Sequence, residues 1–418
     1  MDRSRLIVIF TTVFIDLVGF GIVIPVLPFY AEGTIFNATP RTVGLLFASY
    51  SVMQLIFAPV LGGLSDKYGR RPVLFLSIIG TGIGFLVLGL ATTLWMLFAG
   101  RILDGITGGN ISTAQAYIAD ITTPENRAKG MGLIGAAFGL GFIFGPAIGG
   151  ILSRWGIQVP FFFAAALCFL NAILLYFRLP ETVTRDHPAK NRAGGGRGIR
   201  QVLNSFKQPR LAFVLAIYFL FIVAFSIMTT SFSLYTMFRF GYDAQHTGYL
   251  FAYVGLIAVI IQGGLIGRLV KRFGELPLVL AGAFCFAISL FAVPFVGPAA
   301  GGLGALLVGG GVFSAGNSLA TPALTSLASK SVGPAEQGSV LGVTQSVASL
   351  ARAVGPLLAA ALIASAVPHM GADRQPHYMS DHSLFVTFWT GSAIMLLAFL
   401  LAFYFSQSHK EAQKAQAS

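Results

Sequence analysis

Four ionisable side chains lie inside long apolar segments of this chain, and they define its candidate chemistry. These are Asp16, Arg101, Asp104 and Arg352. A charge in such a segment is costly, and in a membrane it usually faces a protein-lined or water-filled interior. Arg101 and Asp104 are three residues apart, so on a helix they share a face and can pair. Each of the four is therefore a candidate functional residue. For Asp16 a structural hydrogen bond to a neighbouring helix is the alternative.

The two acids are the candidates for a proton carrier. Arg101, one helical turn from Asp104, favours the charged form of that carboxylate. Within its own apolar segment Asp16 has no basic neighbour closer than Arg5, roughly 16 Å along a helix. Burial without a cation favours the protonated form. We therefore predict that Asp16 titrates and that Asp104 orients Arg101. Two alternatives stay open: Arg101 swings between both acids as one coupled unit, or Asp16 stays protonated and structural.

The composition places these residues in a membrane protein. Hydrophobic residues make up 55% of the chain and charged residues only 10%, which is outside the range of soluble globular proteins. Apolar runs of about 20 residues cross the hydrocarbon core as helices. The sequence predicts twelve such spans, numbered 1 to 12: 6–30, 42–64, 73–93, 95–119, 130–153, 160–178, 211–239, 246–269, 276–296, 299–328, 337–366 and 383–406.

The net charge of +12 is a topology signal rather than a nucleic-acid-binding surface. With twelve spans, most Lys and Arg residues fall on the side of the two termini, including those of 65–72 and 178–210. The other side holds Arg41, Arg154, Arg239 and Arg374. By the positive-inside rule both termini are cytoplasmic. We also predict that the first span is an uncleaved anchor, because no small-residue cleavage site follows it.

Cysteines and phosphate-binding motifs narrow the chemistry further. Cys168 and Cys285 lie in separate spans, so the sequence predicts neither a disulfide framework nor a zinc site. No GxxxxGK motif occurs, which argues against direct driving by ATP. We predict no metal and no cofactor, with a proton gradient as the energy source.

A glycine-rich stretch in span 5 is present twice in the chain. Small residues let membrane helices approach closely, and proline bends a helix. Aligning Gly355-Pro356 with Gly145-Pro146 also aligns Gly342 with Gly132, which indicates a tandem duplication of two diverged halves. The packing residues of the first copy are Gly132, Gly141, Gly145, Pro146, Gly149 and Gly150.

Three motifs in this order carry a family resemblance. Gly62-x-Leu64-Ser65-Asp66-Lys67-x-Gly69-Arg70-Arg71 resembles the loop motif between helices 2 and 3 of the major facilitator superfamily. Arg101 with Gly105 and Gly109 is similar to that family's helix 4 motif, and 132–150 to its antiporter motif in helix 5. Segments 16–28, 104–108 and 116–120 look like the tetracycline-exporter branch of proton-coupled drug antiporters. Those exporters carry an essential acid in helix 9, and 276–296 contains none.

The resemblance and the spans imply an all-α integral membrane protein. Twelve transmembrane helices would form two pseudo-repeated six-helix bundles, 1–178 and 211–418, around a central site. A basic cytoplasmic linker, 179–210, would join them. Apolar residues from 199 to 206 on one helical face favour an interfacial helix within this linker, with a solvated linker as the alternative.

The resemblance also implies two sets of site residues. A charge cluster that helps to close the cytoplasmic side would use Gly62, Asp66, Gly69, Arg70 and Asp120. Polar side chains at helical spacing would line a central cavity, although hydroxyls in a span often only bond their own backbone. The cavity candidates are Gln54, Arg101, Ser112, Gln115, Ser226, Thr230, Ser233, Asn317 and Arg352.

The predicted function is secondary active transport rather than enzymatic catalysis. The leading hypothesis is a proton-coupled antiporter that exports amphipathic small molecules or drugs across the inner membrane by alternating access, acting as a monomer in the lipid bilayer. The first alternative is a proton symporter or uniporter for a nutrient such as a sugar or organic acid. The second is a receptor or scaffold that does not transport.

Overall fold

The computed structural model describes residues 3–33, 35–182, 208–332, 337–363, 369–370, 376–377 and 379–417. These residues are almost entirely helical, and eleven of the described helices are long and apolar enough to cross a membrane. The remaining predicted span, span 4 (95–119), is not among these eleven because it is divided into two shorter helices. The prediction of an all-α membrane protein is confirmed. The predicted interfacial helix near residues 199–206 lies outside the described residues.

The first half contains six helical spans. In chain order they are α1 (Arg3–Glu32), α2 (Pro40–Tyr68), α3 (Arg70–Gly89), α4a (Leu94–Thr107), a 3₁₀ turn (Gly108–Asn110), α4b (Ile111–Ile121), α5 (Pro124–Ser153) and α6 (Val159–Arg178).

The second half repeats this order with a different interruption. It comprises α7 (Pro209–Phe240), α8a (Ala244–Ile260), a π turn (Ile261–Leu265), α8b (Ile266–Phe273), α9 (Glu275–Ala292), a 3₁₀ turn (Val293–Phe295), α10 (Gly302–Lys330), α11 (Gln337–Ile363), the two-residue antiparallel strands β1 (His369–Met370) and β2 (Pro376–His377), and α12 (Asp381–Ala417).

Glycine contacts confirm that the packing is duplicated. In the first half α5 lies against α1, where a Cβ built on Gly145 would be 2.6 Å from the Cα of Gly21. In the second half α11 lies against α7, where a Cβ on Gly355 would be 2.4 Å from the Cβ of Ser226. Only glycine permits such contacts, and close backbone packing stabilises helix pairs in lipid. The surroundings of Gly132 lie outside the described part of α5.

The two halves meet at the ends of their helices that lie opposite the chain termini. We call the face where α1 begins and α12 ends the terminal face. At the other face a Cβ on Gly150 of α5 would lie 2.5 Å from the Cα of Gly248 of α8a. There, too, a Cβ on Gly44 of α2 would lie 2.5 Å from the Cβ of Ala360 of α11.

Nearer the terminal face the described glycines of these helices have fewer close contacts. Among the described residues, no atom lies within 4 Å of a Cβ built on Gly135 of α5, Gly263 in the π turn that continues α8a, or Gly342 of α11, whereas a Cβ on Gly139 of α5 would lie 3.3 Å from Gln262 Oε1. The close backbone contacts described between the halves therefore lie at the opposite face.

Candidate functional site

A central cavity of about 260 Å³ lies between the halves. Its wall reaches Thr325 near the end of α10 and Leu341 near the start of α11, both close to the terminal face. Toward the opposite face Ser233 Oγ donates to Ile24 O at 3.3 Å, which joins α7 to α1. The described wall of the cavity therefore extends toward the terminal face.

The cavity wall combines aromatic rings with neutral polar side chains. Of the predicted cavity residues, five line it: Gln115, Ser226, Thr230, Asn317 and Arg352. Gln54 lines a smaller adjoining pocket instead. The remaining three, Arg101, Ser112 and Ser233, are not among the described residues that line the cavity. Ser233 is buried in the contact between the halves.

The 3₁₀ turn at Gly108–Asn110 explains why Ser112 does not lie on the same stripe as Arg101. A continuous α-helix would keep both residues on one stripe. Three residues in a 3₁₀ turn instead advance the chain by about 20° more per residue, or roughly 60° in all. Ser112 therefore faces α2, where its Oγ donates to Ala58 O at 2.8 Å, and Gln115 faces the cavity.

Arg101 is buried within the first half and paired with Asp104. Its Nη1 donates to Asp104 Oδ2 at 2.9 Å, and the guanidinium carbon lies 4.3 Å from the ring centroid of Tyr50. Arg101 is fully buried and Asp104 is 3% exposed. No described residue accepts a hydrogen bond from Arg101 Nε or Nη2. The pair is an intrahelical ion pair capped by an aromatic ring.

Tyr50 connects this ion pair to the broken helix. Gln54 Nε2 donates to the Tyr50 hydroxyl at 2.8 Å and to Gly108 O at 2.9 Å. The second of these bonds satisfies a carbonyl in the 3₁₀ turn. A Cβ on Gly105 would lie 2.4 Å from Tyr50 O, so α2 and α4a are in backbone contact. Glycine at this position allows the tyrosine ring to cover Arg101.

Asp16 is contacted by a residue that the sequence analysis missed. Asn110 Nδ2 donates to Asp16 Oδ1 at 3.4 Å, and Asp16 is 8% exposed. Asp104 lies within electrostatic range of Asp16. An asparagine amide can donate to a carboxylate and accept from a protonated carboxyl. It therefore serves both protonation states of Asp16.

Arg352, in α11 of the second half, contributes a charge near the group formed by Asp16, Arg101 and Asp104. The predicted spans of the second half contain no acid that could pair with Arg352. In the structure Arg352 donates to Ser349 Oγ at 3.2 Å and lies within electrostatic range of Tyr50 and Tyr218. A pocket of about 10 Å³ is lined by Arg352 together with Tyr50 and Gln54. This pocket adjoins the cavity, because Phe20, Phe142 and Arg352 line both.

The predicted charge cluster of the first half is brought together at the terminal face. Arg70 is 1% exposed, and its guanidinium pairs with Asp66 at 2.5 Å and with Asp120 at 3.2 Å. Gly69 has a φ of +106°, a left-handed conformation that favours glycine. A Cβ built on Gly62 would lie 3.5 Å from Ser112 Oγ. All of these contacts lie within the first half.

A second missed residue, Glu181, fastens the start of the linker to this cluster. Its carboxylate accepts from the backbone N–H of Arg70 at 2.9 Å and of Arg71 at 3.0 Å. It thus caps the N-terminus of α3 from a distant part of the chain, where a negative charge is stabilised. Thr182 Oγ1 donates to Asp120 Oδ2 at 3.1 Å. The only sequence signal was an acid directly after span 6.

The second half has a charge-reversed counterpart of this pair. Glu275 begins α9, as Arg70 begins α3, and Lys330 ends α10. The alignment of the two halves places Lys330 opposite Asp120. Lys330 Nζ contacts Glu275 Oε1, and Ser326 Oγ donates to the same oxygen at 3.0 Å. In each half an ion pair therefore joins the start of the third span to the end of the fourth. The basic residue lies at the start of the third span in the first half and at the end of the fourth span in the second half.

Two helical halves around a cavity, with buried charges in the spans, define a multi-pass membrane transporter. The sequence profile of the Major Facilitator Superfamily matches residues 9–356 and 264–418. The chain belongs to this superfamily.

Relatives and solved structures show the same class of protein. The chain is 32% identical to tetracycline resistance protein class H of Pasteurella multocida, over 97% of each chain. It is 36% identical to the class C protein of Escherichia coli, over 87% of this chain and 91% of the relative. Among solved structures, the human organic anion transporter MFSD10 is 26% identical with a TM-score of 0.70, covering 96% of this chain and 99% of that one. These proteins are transporters and not enzymes, and a small-molecule substrate follows for this chain.

Proposed function

We propose that this transporter is a proton-coupled antiporter that exports amphipathic small molecules by alternating access. It would work as a monomer in the inner membrane, with both termini in the cytoplasm. The observation that carries the proposal is the presence of two buried carboxylates in the first half, near a central cavity whose described wall extends toward the terminal face. That face is cytoplasmic by the positive-inside rule.

The separation of the acids from the cavity supports coupling between two sites. Asp16 and Asp104 are absent from the described wall, while Phe20 lines both the cavity and the small adjoining pocket, and Tyr50 lines that pocket. Protonation of an acid and binding of cargo can then be linked without competing for one space. Each pH unit across the membrane supplies about 1.4 kcal/mol per proton.

The names of the relatives support export of drug-like molecules. They include tetracycline resistance proteins and a multidrug resistance protein of Bacillus subtilis, which is 32% identical over 85% of this chain and 88% of the relative. The aromatic and hydroxyl-bearing cavity wall suits amphipathic molecules, because apolar walls bury the ligand and a few polar groups orient it.

Reconstituted transport tests the proposal. Proteoliposomes with an acidic interior are given a panel of amphipathic probes that includes tetracycline. We expect at least one probe to accumulate inside while protons leave, and the accumulation to collapse with nigericin. Accumulation only when the proton gradient is reversed would indicate a symporter. Exchange without response to the gradient would indicate a uniporter, and no exchange of any probe would indicate a scaffold.

A further inference from the structure

We propose that the central cavity selects cargo that carries a primary carboxamide, held by two amide side chains of the second half. Gln262 Oε1 would accept from an N–H of that group, and Asn317 Nδ2 would donate to its carbonyl oxygen. This inference rests on the proposed function, because it takes the cavity as the cargo site.

The orientation of the two side-chain amides is the first observation. Gln262 Nε2 donates to Ser318 Oγ at 3.3 Å, and Asn317 Oδ1 accepts from Thr321 Oγ1 at 3.1 Å. Both amides line the cavity. Within the described part of the chain, neither Gln262 Oε1 nor Asn317 Nδ2 has a hydrogen-bond partner, and neither atom is buried. One amide therefore offers an acceptor to a ligand, and the other offers a donor.

The placement of these two groups next to each other is the second observation. Ser318 directly follows Asn317 on α10, so the bond from Gln262 to Ser318 brings the two amides together where α8 meets α10. Gln262 lies in the π turn Ile261–Leu265, and π turns inside helices are frequent at functional sites. A Cβ on Gly139 of α5 would lie 3.3 Å from Gln262 Oε1. Glycine there leaves this oxygen uncovered by a side chain of the first half.

The hydroxyl groups near this amide pair already use their single donors. Ser314 Oγ donates to Val254 O at 2.6 Å, and Thr325 Oγ1 donates to Thr321 O at 3.0 Å. A hydroxyl carries one O–H, so these side chains cannot donate to a cargo carbonyl without losing an internal bond. An amide N–H such as Asn317 Nδ2 is therefore the better donor in this part of the wall.

Aromatic rings lie beside the amide pair. Phe313 is one helical turn from Asn317 on α10, about 6 Å along the axis, and its ring stacks 6.0 Å from that of Phe225. Phe142 of the first half lies edge-on 5.5 Å from Phe225. A flat ring system would lie against these phenylalanines while a carboxamide on a short arm reaches the amide pair. A primary carboxamide has an N–H and a carbonyl on one edge, so it matches an acceptor beside a donor.

The test uses 1-naphthaleneacetamide, N,N-dimethyl-1-naphthaleneacetamide and methyl 1-naphthaleneacetate. These probes are uncharged and share a ring system and a carbonyl, but only the first has N–H groups. Binding to the purified full chain in lipid nanodiscs is measured at equilibrium and without a pH gradient, with empty nanodiscs subtracted.

Two variants and a matched control separate the two contacts. Gln262→Met removes Oε1, and Asn317→Leu removes Nδ2. The control is Gln245→Met, because Gln245 donates to the Tyr249 hydroxyl at 2.8 Å near the start of α8a and is not among the described residues that line the cavity.

In the wild type we expect the primary amide to bind about fivefold more tightly than the other two probes, which is the size of one neutral hydrogen bond. Gln262→Met should abolish that preference but keep binding of the ester, which shows that the variant is folded. Asn317→Leu should weaken binding of all three probes, because each of them uses its carbonyl. Gln245→Met should behave as the wild type.

Equal or weaker binding of the primary amide in the wild type would overturn the proposal without reference to any variant. The same conclusion follows from a preference that survives Gln262→Met, from an equal loss of all three probes in that variant, or from no binding of any probe. Failure of proton coupling would leave this equilibrium comparison intact, so the two proposals fail separately.

Discussion

A Cβ on Gly150 would lie 2.5 Å from the Cα of Gly248, so the two halves touch backbone to backbone at the face opposite the termini. Real side chains do not make contacts this short. The closed state of that face therefore depends on both residues being glycine. The same pair must separate if the cavity opens to the other side.

Gly150→Ala tests this contact. The added methyl group should cost about 1–3 kcal/mol in the closed arrangement and shift the population toward opening at the opposite face. A single cysteine at Thr230, a cavity residue, should then react faster with an impermeant maleimide added from that face. Gly135→Ala on the same helix is the control, since open space surrounds its Cβ position. Equal labelling of the two variants would contradict this reading of the contact.

Asp66→Asn tests the charge cluster at the terminal face. The change removes one of two carboxylates from Arg70 and should weaken the cluster by about 1 kcal/mol, because Asp66 is partly exposed. We expect slower transport with largely unchanged substrate affinity. Lys67→Gln alters a neighbouring charge in the same turn and should leave the rate unchanged. A wild-type transport rate in Asp66→Asn would show that the charge cluster has no role in the transport cycle.

The two charge-reversed ion pairs predict unequal effects on stability. Arg70 is 1% and Asp120 6% exposed, so Arg70→Gln leaves the buried Asp120 without its cation and should destabilise the first half by about 3 kcal/mol. Lys330 is 64% exposed, so Lys330→Gln should cost at most about 1 kcal/mol. Thermal unfolding of both variants in the same detergent measures the difference. Similar losses of thermal stability in the two variants would mean that burial does not determine how much these ion pairs contribute to stability.

Single-cysteine labelling checks the membrane orientation. In a background without Cys168 and Cys285, a cysteine at Ser205 in the linker should be protected in right-side-out vesicles until they are permeabilised. A cysteine at Arg154, between α5 and α6 at the opposite face, should label at once. Labelling of both from outside would refute the predicted twelve-span topology.

Local rules were enough for much of this architecture. Span length and hydropathy predicted the helices, and the glycine-proline alignment predicted a duplication of two halves with close packing of α5, but not the partner helices α1 and α7. The cluster of Asp66, Arg70 and Asp120 was implied by the family resemblance, because Asp120 lies 50 residues from Arg70 along the chain. The span and glycine signals, in contrast, can be read within single segments of the chain.

The missed features depend on contacts between distant segments or on a break in helical register. Glu181 caps α3 from 110 or more residues away, and nothing in its own neighbourhood indicates that role. Asn110 faces Asp16 because a 3₁₀ turn rotates the chain, whereas periodicity assumed one continuous helix. The same rotation moves Ser112 out of the cavity. Two adjacent glycines in that turn were the only hint of a break.

The central claim is that protons and cargo are coupled through Asp16, with Asp104 holding Arg101 in place. Asp104 is paired at 2.9 Å with a cation, whereas Asp16 contacts a neutral amide that can serve both of its protonation states. The alternative of one coupled unit has structural support too, because Nε and Nη2 of Arg101 meet no acceptor among the described residues.

The most direct measurement is pH-driven accumulation of a transported probe in proteoliposomes that contain wild type, Asp16→Asn or Asp104→Asn. We predict that Asp16→Asn abolishes accumulation against a gradient but still binds and exchanges the probe, because a permanently neutral side chain cannot release a proton. Asp104→Asn should mainly weaken folding or binding, since it leaves Arg101 buried without its carboxylate. If Asp16→Asn still concentrates the probe when a pH difference is imposed, the assignment of Asp16 as the proton carrier is contradicted.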